Sequence, residues 1–137
     1  MPSIPVIIAA PSASTRSLLR KVVQGEAQIE VVGEAASSWH GGELLRALAP
    51  EVAVVDVALV SACDFFLRDW GAVSRSTRIV VVGCPDPALE HRLLMMGACA
   101  CLSWDRVPAE LGSLVVATAR PATGSARGPA GTAGTRP

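Results

Sequence analysis

EVAVVDVALV, residues Glu51–Val60, is the stretch on which the reading of this chain turns. Eight of its ten residues are apolar. A run of that length without polar alternation reads as a strand buried on both faces, the kind found inside a parallel sheet. The exception is Asp56, near the expected C-terminal end of the strand. A carboxylate there is costly unless it is paired, wetted at a strand mouth, or used. In open parallel α/β sheets, sites form outside the carboxyl ends of the strands. Asp56 is therefore the first candidate functional residue. The competing explanation is an aspartate that caps or turns the chain where the strand stops.

The flanking sequence repeats the same two-part pattern. Ahead of this run, Ile4–Ala10 is an apolar strand stopped by Pro11. Ser12 or Ser14 then caps a helix with the apolar face Leu18, Leu19, Val22 and Val23, ended by Gly25. Ile29–Val32 is a short second strand closed by Gly33. Ser37 or Ser38 opens a helix carrying Leu44, Leu45 and Leu48, which Pro50 ends and Gly41 and Gly42 weaken. Beyond the central run, Ala62–Trp70 suits a third helix, with Phe65, Phe66, Leu67 and Trp70, ending at Gly71. Arg78–Val82 is a fourth strand, with Gly83 at its mouth. Pro87 opens a helix striped by Leu89, Leu93, Leu94 and Met96. Ala98–Leu102 is a fifth strand, and Pro108 opens a last helix through Leu111, Leu114, Val115 and Ala117. Strand and helix thus alternate five times, which predicts parallel strands joined by right-handed crossovers with helices on both faces.

Composition narrows the class. The 137 residues suit one domain, expected over residues 1–118, and a tail over residues 119–137 rich in Pro, Ala, Gly, Thr and Ser, which is expected to be disordered. Twelve basic residues balance twelve acidic ones, but Arg120, Arg127 and Arg136 lie in the acid-free tail. The body is left acidic, which is not the footprint of a nucleic-acid binder, and no helix-turn-helix pattern follows it. Cys63, Cys84, Cys99 and Cys101 make no CxxC pair and His40 and His91 stand alone, so zinc is not indicated. Cys99 and Cys101, two apart on a strand, are expected to share a face, and the thiols to be small buried residues in a reducing cytoplasm. No segment has the apolar length of a membrane span or the pattern of a secretory leader, which places the chain in the cytoplasm. Phosphate-cradle motifs such as GxGxxG and the nucleophile motif GxSxG are absent.

With the pattern laid out, IEVVGEA (Ile29–Ala35), LLRALAPEVAVVDVAL (Leu44–Leu59), RIVVVG (Arg78–Gly83) and MGACACLSWD (Met96–Asp105) resemble a bacterial response-regulator receiver domain, a CheY-like domain of the LuxR/NarL-type branch. The resemblance spans Ile4 to Ala119. It implies a flavodoxin-like five-stranded parallel sheet of order 2-1-3-4-5, and it places Asp56 at the family's phosphoacceptor position. It also implies a degenerate site. The family's acidic pair after the first strand, which holds Mg²⁺, is Ala9 and Ala10 here, so no Mg²⁺ or other cofactor is expected. The Thr or Ser that ends the fourth strand is Gly83, the Lys that follows the fifth is Trp104, and the aromatic switch residue is Cys101. Lys21 is the only lysine and lies in the first helix.

Three functions follow. The first is a non-enzymatic regulatory module of a two-component-type system with little or no phosphotransfer, because phosphoryl transfer requires charge neutralisation that these residues do not supply. Its protein partner, a histidine kinase or a second copy of the chain, is expected to dock on residues 87–117. The second is a receiver phosphorylated at Asp56, such as a truncated LuxR-type regulator. The third is a small flavodoxin-like enzyme. Trp104 at a strand mouth is either a packed loop residue or a platform for a ligand or partner.

Overall fold

The computed structural model describes residues 3–61 and 66–119, with the backbone alone at Phe66 and Leu67. Cys63, Phe65, the side chains of Phe66 and Leu67, and the expected tail from residue 120 onward lie outside the described residues.

The expected alternation is present. Strands β1 (Ile4–Ala9), β2 (Ile29–Ala35), β3 (Val52–Asp56), β4 (Arg78–Val82) and β5 (Ala100–Leu102) form one sheet of order β2-β1-β3-β4-β5. Every pairing is parallel. Helices α1 (Ala13–Val23), α2 (Ser38–Leu48), α3 (Val57–Ser61), α4 (Phe66–Val73), α5 (Pro87–Met95) and α6 (Val107–Ala119) pack around it.

Period-two alternation along the strands divides the core into two layers. Val6, Ile8, Val52, Val54, Val80 and Val82 face α1 and α6, where they meet Leu19, Val23, Leu111 and Val115. Ile7, Ala9, Ala53, Val55, Ile79 and Val81 face the other way, towards Leu45, Leu59, Trp70 and Leu93. The central strand is buried at all five positions, as a strand covered on both sides must be.

Several expected boundaries move. The apolar run from Val52 does not continue as strand to Val60: it becomes helix α3 immediately after Asp56, with Leu59 and Val60 turned into the core. Four apolar residues, Val57–Val60, satisfy either period, so local sequence leaves the switch point open. The next helix begins at Phe66 and runs through Gly71 to Val73 rather than ending at Gly71. Strand β2 continues through Gly33 to Ala35, absorbing a register shift against β1 between Val6 and Ile7. At Gly33 an added Cβ would come within 3.2 Å of Leu44. Cys99 precedes β5 and is exposed, whereas Cys101 is buried, so the two do not share a face. Leu18 stands 47% exposed, leaving Leu19 and Val23 as the buried residues of α1. Helix α6 starts at Val107, one residue before Pro108, and ends at Ala119, one residue past the expected domain limit.

The caps follow side-chain chemistry. Ser12, Ser37 and Asp86 each accept a hydrogen bond from the backbone N–H three residues on, opening α1, α2 and α5. Gly41 is buried because α2 lies against Trp70: a Cβ at Gly41 would fall 2.2 Å from Trp70 Cζ2. What Gly41 costs α2 in helix propensity is therefore exchanged for the seat of an indole.

Candidate functional site at the strand mouths

The parallel register gathers the candidate residues at one edge of the sheet. Ala9 pairs with Val55, so Ala10 emerges beside Asp56. Asp56 pairs with Val82, which places Gly83 next in line. Val82 pairs with Leu102, and Gly83 donates its N–H to Leu102 O at 2.7 Å. Ala10, Asp56, Gly83 and Trp104 therefore meet at the C-terminal ends of β1, β3, β4 and β5, where doubly wound sheets carry their sites.

Asp56 is 8% exposed. Its Oδ1 accepts from the backbone N–H of Ala58 at 2.9 Å. That N–H belongs to the first turn of α3 and has no partner within the helix, so the carboxylate acts as a local cap. The capping role weighed from sequence is thus present.

On the β1 side, Ala9 and Ala10 are wholly buried methyl groups. The cation at this end is Arg16, which sequence reading passed over because it lies in α1 and matches no motif. Its Nη1 donates to Ala10 O at 2.8 Å and to Pro11 O at 3.3 Å, and its Nε lies 3.6 Å from Glu34 Oε1. Arg20 bonds the other oxygen of Glu34. Only the spacing of Arg16 and Arg20, one turn apart on α1, hinted that both guanidiniums could reach the end of β2.

On the β4 side, Trp104 begins a short 3-10 turn (Trp104–Arg106) and remains 40% exposed. Its indole lies over Gly83: a Cβ at Gly83 would sit 2.5 Å from Nε1 and 2.9 Å from Cε2. Gly83 also has φ +93, a conformation that L side chains rarely adopt. The two residues are complementary, since the ring takes the volume that any side chain at position 83 would need. Trp104 is thus both a packed residue and a partly open one.

Cys84 and Cys101 meet just beneath this edge. Burial pushes the Cys101 thiol up to about 12, reinforced by its neighbour Cys84. Burial likewise raises the Cys84 thiol, against the opposing hydrogen bond with Cys101. Both are therefore neutral and poor nucleophiles near pH 7.

Magnesium takes carboxylate oxygens and water in octahedral geometry. Here the neighbours of Asp56 on β1 are two buried methyl groups, and no group of three His, Cys, Asp or Glu side chains among the described residues could hold a metal.

Comparison with known proteins matches this architecture. The signal receiver domain of NarL from Mycobacterium tuberculosis superposes with a TM-score of 0.76 at 22% identity, over 88% of this chain and 99% of that one. The fold is that of a response-regulator receiver domain. The receiver domain of RcsB from Salmonella enterica serovar Typhimurium, in the presence of phosphomimetic BeF3−, gives a TM-score of 0.74 at 20% identity, over 84% of this chain and 87% of that one. The response-regulator domain of Thermotoga maritima CheB gives 0.70 at 20% identity, over 86% and 94%. No family model matches the chain. In sequence it is 29% identical over 110 residues to protein-glutamate methylesterase/protein-glutamine glutaminase 3 of Anaeromyxobacter dehalogenans, covering 78% of this chain and 32% of that protein. No helix among the described residues of this receiver fold is long and apolar enough to cross a membrane.

Proposed function

We propose that this receiver-fold chain is a non-enzymatic regulatory module of a two-component-type system that works by protein–protein contact, with little or no phosphotransfer. One observation carries the reading: the indole of Trp104 lies on Gly83, at the strand mouth beside Asp56, where it leaves no room for a side chain. On the opposite side of Asp56 stand two buried methyl groups. A phosphoryl group on Asp56 would meet neither a metal nor a hydroxyl from position 83, and phosphoryl transfer depends on such neutralising partners.

The partner surface is proposed within residues 87–117. On and beside α5, Leu94, Met95 and Met96 are 40%, 76% and 39% exposed. Three consecutive apolar side chains open to water, two of them adaptable methionines, suit a protein contact. The occupant is a histidine kinase or a second copy of this chain, and neither DNA nor a membrane is proposed as a target.

The test is a calorimetric titration of beryllofluoride with Mg²⁺, alongside incubation with acetyl phosphate. The expected outcome is no saturable heat and no mass increase of a phosphoryl group. Mg²⁺-dependent binding that vanishes in Asp56→Asn would overturn this reading and favour a receiver phosphorylated at Asp56. That second reading has its own support: Asp56 sits at the strand mouth, and Arg16 of α1 holds its guanidinium against the carbonyl of Ala10 at the end of the adjoining strand. Turnover of a small molecule at this edge would instead favour an enzyme.

A further inference from the structure

Helices α2 and α4 enclose a cleft of about 270 Å³, lined by Trp39, Gly42, Glu43, Arg46, Asp69 and Trp70 among others. None of these residues belongs to the Asp56 mouth. Its two tryptophans differ in state. Trp70 is 3% exposed, seated on Gly41, and its indole N–H donates to Ser38 O at 3.1 Å. It is a fixed aromatic wall. Trp39 is 76% exposed, an unusual state for a side chain of that size.

The charges in the cleft are unequal. Glu43 is already bonded to Arg46 at 2.7 Å. Asp69 has no ion pair or side-chain hydrogen bond among the described residues. Its place in the first turn of α4 suits the helix dipole, and the residue is exposed. An exposed carboxylate lining the same cleft as an exposed indole favours a cation, which gains from the aromatic face and from the charge together.

We infer that this cleft receives the guanidinium of an arginine presented by a protein partner. Size selects a single side chain: small-molecule sites usually span roughly 300–1,000 Å³ and bury most of a larger ligand. Chemistry selects arginine over lysine. A planar guanidinium stacks on an indole and offers paired donors to one carboxylate, whereas an ammonium is a compact, strongly hydrated point charge. The inference rests on none of the features used for the regulatory reading, and either can fail without the other.

The test follows indole N–H signals of the ¹⁵N-labelled full chain by NMR while N-acetyl-arginine amide is added, with N-acetyl-citrulline amide as the neutral isostere and N-acetyl-lysine amide as the point charge. A single side chain without a surrounding interface is expected to bind in the millimolar range, with saturable movement of the Trp39 signal and a still Trp104 signal. Citrulline is expected to bind at least about tenfold more weakly and lysine severalfold more weakly, and Asp69→Asn to lose about tenfold for arginine. Trp39→Ala, read through the Trp70 signal, is expected to lose affinity as well. Both substituted positions are exposed, so folding is preserved, and the dispersion of the remaining signals verifies it. Absence of saturable movement overturns the inference. So does equal response to arginine and citrulline, equal response to arginine and lysine, or an Asp69→Asn variant that binds as well as the parent.

Discussion

Gly83→Ala is the sharpest probe of the strand mouth. Two costs add at this position. An L residue held at φ +93 pays backbone strain on the order of 1–3 kcal/mol. The new Cβ would also sit 2.5 Å from Trp104 Nε1, well inside the roughly 3.5–4.0 Å of an unstrained contact, so the indole must move by about 1 Å. Because Trp104 is 40% exposed it can swing outward, which keeps that cost near the lower end of overpacking penalties, about 1 kcal/mol. The sum is about 2–4 kcal/mol, a large share of the roughly 5–15 kcal/mol that holds a typical domain. Urea denaturation followed by far-ultraviolet circular dichroism at 25 °C measures it, in four proteins: parent, Gly83→Ala, Trp104→Ala and the double variant. In the Trp104→Ala background the steric cost disappears and the strain remains, so a coupling energy of about 1 kcal/mol is expected. A loss below about 0.5 kcal/mol for Gly83→Ala in the parent would refute the conformational argument. Identical losses in both backgrounds would refute the contact with Trp104.

Other outcomes follow from the same geometry. Asp56→Asn keeps an oxygen able to accept from Ala58 N–H and is expected to remain folded, slightly more stable and unchanged in partner binding, whereas Asp56→Ala loses the cap and about 1 kcal/mol by denaturation. Gly41→Ala gains about 1 kcal/mol of helix propensity but drives a methyl group into Trp70, so a net loss of stability is expected by thermal unfolding. In thiol titration at pH 8, exposed Cys99 should react ahead of Cys84 and Cys101. The Cys101 thiol, raised in the fold from an ordinary 9.0 to about 12, contributes stability that is fully present below pH 9.0 and lost as pH climbs towards about 12; Cys101→Ala should flatten that part of the stability curve. Ala9→Asp, Ala10→Asp and Trp104→Lys combined are expected to create Mg²⁺-dependent beryllofluoride binding by calorimetry; a folded triple variant without it would show that the mouth lacks more than these three groups.

The alternating apolar runs and their punctuation by Pro, Gly and Ser were enough to determine five strands, their parallel sense and the flanking helices. That is because strand burial, helix caps and crossover handedness act locally or through generic rules. An apolar run interrupted by one carboxylate already singled out Asp56, resemblance added the strand order, and the register places Ala10, Gly83 and Trp104 around it. Tertiary structure decided the rest. Val57–Ser61 fits either period on its own, and becomes helix because Asp56 caps it and because Leu59 and Val60 find a core to fill. Gly41 looked like a weak point in a helix until Trp70 was found seated on it, a contact between residues 29 positions apart in sequence. Arg16 matches no motif, and only folding brings its guanidinium to the carbonyls beside β1. Gly83 and Trp104 each read as a missing group; in three dimensions they form one contact, because shape complementarity is a property of pairs that linear sequence does not display.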